Sequence, residues 1–224
     1  MGNLEQRVIA YFDGLNLYHS LKDKRWQKYY WLDILSLMDS FIEKERKLIE
    51  IKYFTSYSWK PESMGRQRTY LKALQTESLK RMLNFSIQRG VFIPNNIRCN
   101  ECNEYIRCSA CGNVPIFYNG KNTDVNLAVE MVADAFQNNF DSAFLVTEDS
   151  DQVGTILKIA KNCPGKKIFV IFPPGRHSDH LSKACLSTGG TSWNIGEKKL
   201  KKFQLPDEII LPCGSILKRP IRWH

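Results

Sequence analysis

Val8-Ile-Ala-Tyr-Phe-Asp-Gly-Leu-Asn-Leu-Tyr18 decides the fold. An apolar run of strand length ends on an acid, Gly14 permits a tight turn, and a stretch that can begin a helix follows. The pattern recurs at Phe144-Leu-Val-Thr-Glu-Asp-Ser-Asp151, where an apolar run is followed by Asp149 and Asp151. A third motif, Lys121-Asn-Thr-Asp-Val125, sets Asp124 at the mouth of a helix. Strand ends and helix mouths are where an open α/β sheet collects ligands, beyond the carboxyl ends of its strands. Carboxylates gathered in one cleft repel each other unless a cation lies among them, and hard oxygen ligands suit Mg²⁺ or Mn²⁺. Taken singly, each acid has a plainer reading: Asp13, Asp149 or Asp151 as a helix cap, Asp124 as a first-turn carboxylate favoured by the helix dipole. Three such motifs at equivalent sheet ends are less easily explained as caps. Asn16, three residues beyond Asp13, can orient a phosphate or a water.

Outward from these motifs, strands and helices alternate. Strands are expected at 7–12, 48–56, 91–94, 142–147 and 166–172, with a short last one at 192–194. Helices are expected from 15–22, 31–42, 61–89, 124–138, 152–162 and 178–187. Pro61 opens the long one, and Thr123 caps the one that carries Asp124, with Val125, Ala128, Val129 and Val132 on its buried side. Such interleaving implies an α/β fold, a three-layer α/β/α sandwich with a mostly parallel sheet of about five strands. The domain spans 1–195, and residues 196–224 form a basic tail, partly docked, that includes Lys198-Lys-Leu-Lys-Lys202.

The 224 residues carry a formal net charge of +9 and a hydrophobic content of 43%, which together argue for a folded basic body and against wholesale disorder. No run approaches the roughly 20 apolar residues of a membrane span, and residues 1–7 lack a signal-peptide core, so a soluble cytoplasmic protein is expected. A basic surface around an acidic, cation-holding pocket suits a polyanion, with lysines and arginines attracting the phosphate backbone. Lys121, at the cleft mouth, is a candidate phosphate contact. Arg66, Arg68 and Lys72 recur along one helix as candidates for backbone tracking, or simply as a solvated charged face.

Four of the seven cysteines fall in Cys99-Asn-Glu-Cys-Asn-Glu-Tyr-Ile-Arg-Cys-Ser-Ala-Cys-Gly112. Two C-x2-C pairs at this spacing let Cys99, Cys102, Cys108 and Cys111 face one structural Zn²⁺ in an insert at 97–114. Disulfides or an iron–sulfur cluster are the alternatives, and disulfides conflict with a cytoplasmic protein. The insert either staples a long loop or contacts substrate through Arg98, Tyr105 and Arg107.

Phe12-Asp-Gly-Leu-Asn-Leu-Tyr18, Lys121-Asn-Thr-Asp-Val-Asn-Leu-Ala-Val129 and Leu145-Val-Thr-Glu-Asp-Ser-Asp151 resemble, in order and spacing, the motifs of NYN-domain proteins, a branch of the PIN-like nuclease superfamily. The resemblance covers roughly residues 7–190, apart from the cysteine insert. It implies a PIN-like, Rossmann-like sheet and a divalent-metal nuclease, commonly an endoribonuclease. Asp13, Asp124 and Asp149 would then hold Mg²⁺ or Mn²⁺, with Asp151 a fourth acid and Asn16 an accessory residue. The partner would be nucleic acid, RNA first, and small nucleases of this superfamily often form a homodimer. A non-catalytic RNA-binding module, or a component of an RNA-processing or defence assembly, is the alternative. The chain departs from the family pattern at Asn122, where Gly is common, at Thr147-Glu148, where Ser-Gly is common, at Gln152, where Phe is common, and at Cys185, where an Asp often stands.

Overall fold

The central strand, β1 (Gln6–Asp13), pairs in parallel with β2 (Arg46–Thr55) on one side and β6 (Ser142–Val146) on the other. The computed structural model describes residues 5–223, the side chains of 117–121 excepted. Beyond β2 lies β3 (Asn84–Arg89). Beyond β6 lie β7 (Lys167–Phe172) and β8 (Ser192–Asn194), and every described pairing in this six-stranded sheet is parallel. The expected α/β fold is therefore the observed one, with one strand more than expected. Counted in chain order, the six strands lie 3-2-1-4-5-6 across the sheet, so the winding reverses between β1 and β6. That reversal opens a crevice beyond the carboxyl ends of those two strands.

Alternation along the strands fixes which side chains face which layer. Val8, Ala10 and Phe12 point into a core shared with α1 (Gly14–Asp23), α2 (Ile34–Asp39) and α3 (Pro61–Lys80). Ile9 and Tyr11 point into the opposite core with α4 (Thr123–Phe136), α5 (Val153–Asn162) and α6 (Asp179–Leu186). By the same period, Asp13 continues the Tyr11 face and Thr147 the Leu145 face, so both look toward α4 and α5.

Four expectations need correction. The helix predicted over 61–89 stops at Lys80; Met82 takes a left-handed φ of 52°, and Asn84-Phe-Ser-Ile-Gln-Arg89 alternates polar and apolar as a sheet-edge strand. The strand expected at 91–94 is not in the central sheet. It belongs to β4 (Val91–Asn96), which forms a separate antiparallel ribbon with β5 (Ile116–Lys121). On α4 the buried side is Leu127, Met131, Asp134 and Ala135, whereas Val125 and Val129 are 63% and 62% exposed. The cap of that helix is Asn122, not Thr123, which is already its first residue and is buried.

The chain after β8 crosses back to the first layer as α7 (Glu197–Lys202) and a hairpin of β9 (Glu208–Ile210) and β10 (Ile216–Lys218). Leu200, Leu205, Ile209, Leu217 and Trp223 join the core there, and the Trp31 indole N–H donates to the Pro206 carbonyl at 2.8 Å. No helix among the described residues is long and apolar enough to cross a membrane.

Candidate active site

The crevice between β1 and β6 brings the sequence-predicted acids together. Asp13, 6% exposed, ends β1 and caps α1: its Oδ1 accepts from the Asn16 N–H at 2.9 Å and its Oδ2 from the Thr147 hydroxyl at 3.2 Å. Thr147 Oγ1 in turn accepts from the Asp149 N–H at 3.1 Å. Asp149 Oδ1 accepts from the Asp151 N–H at 2.9 Å and caps a 3-10 turn, Ser150–Gln152. Capping therefore fixes Asp13 and Asp149 without removing them from the crevice. The Gln152 side-chain amide donates to the Asp124 carbonyl at 3.2 Å, tying that turn to the start of α4. Asn16 Oδ1 accepts from the Glu148 N–H at 3.1 Å, so Asn16 clasps the two acid-bearing loops. Gly14 is required here by close approach: a Cβ would lie 2.5 Å from the buried Tyr53 ring.

The electrostatics report how closely the carboxylates assemble. Burial pushes the Asp13 carboxyl up to about 6, helped by the charges of Asp124 and Asp149, while the bonds from Asn16 and Thr147 oppose the rise. Asp124 is also raised, by burial and by Asp149 and Asp151. Asp13 and Asp124 thus each sit within the field of neighbouring crevice carboxylates. An all-oxygen donor set with unrelieved like charge fits a hard divalent cation. Among the described residues no three His, Cys, Asp or Glu side chains already converge as a ligand cage.

Sequence reasoning missed one cation. Arg176, in the loop after β7, pairs with Asp23 and with Glu148 at 3.3 Å, so the extra carboxylate of the Thr147-Glu148 pair is engaged by Arg176. Its signal was its place beyond a parallel strand, in Pro173-Pro-Gly-Arg176. Two departures from the family pattern also find their reasons. Asn122 has φ 72°, the left-handed region where glycine is cheapest and asparagine next. Cys185 is fully buried, with its thiol directed to the Ser182 carbonyl at 3.1 Å, so α6 sends no acid from that position.

The basic candidates fare unequally. The Lys121 side chain lies outside the described residues. Arg66 is engaged by Ser63 at 3.1 Å and Glu62 at 3.9 Å. Arg68 is exposed, with its guanidinium 5.3 Å from the Tyr57 ring centre. Lys72 lies near Cys213 in the β9–β10 hairpin.

In the insert the two Cys-x-x-Cys segments adopt the same turn. The Cys99 N–H donates to the Glu104 carbonyl and the Asn103 N–H returns to Cys99; the Cys108 N–H donates to the Asn113 carbonyl and the Gly112 N–H returns to Cys108. Asn103 and Gly112 are both left-handed, at φ 58° and 71°. In each turn backbone N–H groups draw the first thiol down, from Cys102 and Glu101 onto Cys99 and from Cys111 and Ala110 onto Cys108. The sulfurs are paired within each turn, and among the described residues no group of three is gathered.

Comparison with known proteins agrees with the fold. A solved structure of a Vibrio parahaemolyticus protein of unknown function aligns over 92% of this chain and 99% of that one, at 18% identity and a TM-score of 0.51, a likeness of fold alone. No curated protein matches. The model of the NYN domain family matches residues 7–188, from the first strand through α6 and with all four crevice acids inside it. The chain belongs to the NYN domain family.

Proposed function

We propose that this protein is a divalent-metal-dependent endoribonuclease, hydrolysing phosphodiester bonds at the crevice between β1 and β6. Membership of the NYN family, itself a PIN-like nuclease family, carries a nuclease role and a nucleic-acid substrate. The observation that carries the finer reading is the gathering of carboxylates at the sheet's switch point, where Asp124 and Asp149 help to raise Asp13 and where Asp149 and Asp151 help to raise Asp124. Asp13, Asp124 and Asp149 would hold Mg²⁺ or Mn²⁺. When bound, such a cation lowers the pKa of a water and neutralises charge on the phosphate. Thr147 and Asn16 keep the acid loops in register. Asp151, exposed at the rim, takes up the proton of the attacking water as it bonds to phosphorus. The P–O3′ bond breaks, the 3′ oxygen gains a proton from solvent, and the products are a 5′-phosphate and a 3′-hydroxyl.

The test is a time course on 5′-labelled single-stranded RNA and matched DNA with Mn²⁺, Mg²⁺ or EDTA, comparing the parent with Asp149→Asn. Cutting that needs metal, favours RNA and disappears in the variant is expected. RNA bound but never cut would replace this reading with the binding module.

The twin turns of the insert support a structural Zn²⁺ held by Cys99, Cys102, Cys108 and Cys111, and the backbone N–H groups around the Cys99 and Cys108 sulfurs suit thiolate ligation. Protein purified without chelator is expected to carry about one zinc per chain, and Cys102→Ser with Cys111→Ser to carry almost none. A metal analysis finding no zinc in the parent, or iron in its place, overturns that assignment.

A further inference from the structure

The carboxyl edge of the sheet carries a second cluster, beside the acids. The loop between β2 and α3, Ser56-Tyr-Ser-Trp-Lys60, is fixed by one side chain. Gln67 donates from Nε2 to Thr55 Oγ1 and to the Ser56 carbonyl, both at 3.0 Å, and accepts from the Ser58 N–H at 3.0 Å. On this pinned loop Tyr57 is half-buried, with the guanidinium carbons of Arg68 and Arg89 5.3 Å and 4.9 Å from its ring centre. Trp59 is 49% exposed, with the Lys60 ammonium 5.0 Å from its ring centre.

The cations here differ from those elsewhere. Arg7, Arg46, Arg66, Arg81, Arg176, Arg219 and Arg222 each reach a carboxylate. Among the described residues the arginines without an ion pair are Arg25, Arg68, Arg89 and, in the insert, Arg98 and Arg107. All but Arg25 therefore lie on α3, at the end of β3 or in the insert between β4 and β5. Position relates this cluster to the acids. Asp13 pairs with Phe54 across β1 and β2, and Thr55 pairs with Arg89 across β2 and β3. Two strand spacings set Arg89 about 10 Å from Asp13 across the sheet edge. A polynucleotide entering the crevice can reach both.

We propose that Tyr57, Trp59, Lys60, Arg68 and Arg89 form a subsite for an unpaired nucleotide, next to the acidic crevice. The Trp59 ring takes a base by stacking, and Arg68 and Arg89, flanking Tyr57, take the adjoining phosphates. A base held within a duplex cannot offer its face to an indole, so the subsite selects a single strand over a duplex. The proposal deepens the nuclease reading by naming its substrate class, and it rests on nucleic-acid binding without requiring turnover.

The test is a fluorescence-anisotropy titration in EDTA with a labelled, unstructured oligoribonucleotide and, separately, its duplex. The proteins are the parent, Trp59→Ala, Trp59→Phe, Arg68→Gln with Arg89→Gln, and Lys44→Gln as a surface-charge control. Trp59→Ala is expected to weaken single-strand binding about ten-fold with an unchanged salt slope, and Trp59→Phe to recover most of it. The double arginine variant is expected to flatten the salt slope by about two phosphates' worth. Duplex affinity stays unchanged in Trp59→Ala. Parent-like single-strand binding by Trp59→Ala, equal losses on single strand and duplex, or no RNA binding by the parent overturns the subsite. Because no cleavage is needed, Trp59-dependent binding by a protein that never cuts sinks the nuclease reading alone. Cleavage with Trp59-independent binding sinks the subsite alone.

Discussion

Asp13→Asn is expected to lower RNA cleavage about 10³-fold or more while making the metal-free protein more stable than its parent. Loss of a cation-holding acid removes several kcal/mol of transition-state stabilisation, at about 1.4 kcal/mol per factor of ten. The stability gain has a separate cause. Burial and two neighbouring carboxylates raise Asp13 to about 6 from 3.8. Between those values the folded chain binds more protons than the unfolded one, so stability falls as pH rises from about 4 and the full penalty is present above about 6. A shift of this size corresponds to roughly 3 kcal/mol. Asparagine keeps the Oδ1 acceptor for the Asn16 N–H and can donate to Thr147 Oγ1, so it removes the charge and retains the cap. In EDTA at pH 8 its melting temperature is expected to rise by roughly 5–10 °C, and the difference to shrink toward pH 4. Divalent metal should raise the parent's melting temperature and leave the variant's unchanged. A variant that cuts at the parental rate, or that melts lower than the parent at pH 8, contradicts the placement of this carboxylate.

Lys52→Met is expected to be the most destabilising single change outside the crevice. Lys52 is 8% exposed, and its ammonium meets Asp134 at 2.7 Å and Glu130 at 2.8 Å. Asp134, 4% exposed, also accepts from the Tyr11 hydroxyl at 2.6 Å and from the Asn139 amide at 2.9 Å. Burial disfavours the ammonium, but the bonds to Asp134 and Glu130 outweigh it, so its pKa is raised and the stabilisation persists through neutral pH. Removing the lysine leaves a buried carboxylate without its counter-charge, at a cost of about 3–5 kcal/mol. That corresponds to a fall of roughly 6–20 °C in thermal melting. Adding Asp134→Leu and Tyr11→Phe should recover much of the loss, because an apolar cluster needs no partner for a stranded charge. No recovery in the triple variant would mean that the lysine acts by packing alone.

Local pattern made the sheet's central strands legible, since their apolar runs need only a period and a terminator. It failed where two periods compete. Leu83, Phe85 and Ile87 can extend a helical register from α3, and only the left-handed Met82 ends it, so the local pattern predicts helix where β3 forms. On α4 the valines drew the buried face the wrong way, because Asp134 lies inside, neutralised by Lys52 from β2, a contact no local window contains. The crevice acids were readable because strand ends announce them. Arg176 was not, because its partner Glu148 belongs to a neighbouring loop brought near by β6–β7 pairing. Arg68 and Arg89 acquire meaning only when the fold brings α3 and the end of β3 to the ring of Tyr57.

The return of the chain to its first layer sets an order of events in synthesis. Trp31 and Tyr70, made early, pack against Trp223 at 6.1 Å between ring centres, and Leu205 donates its N–H to the Trp31 carbonyl. A nascent chain that has completed β1 through α6 can already close the layer of α4, α5 and α6. The layer of α1, α2 and α3 stays open until α7 and the β9–β10 hairpin have emerged. Translation thus builds the acid-bearing face of the crevice first and seals the opposite layer last.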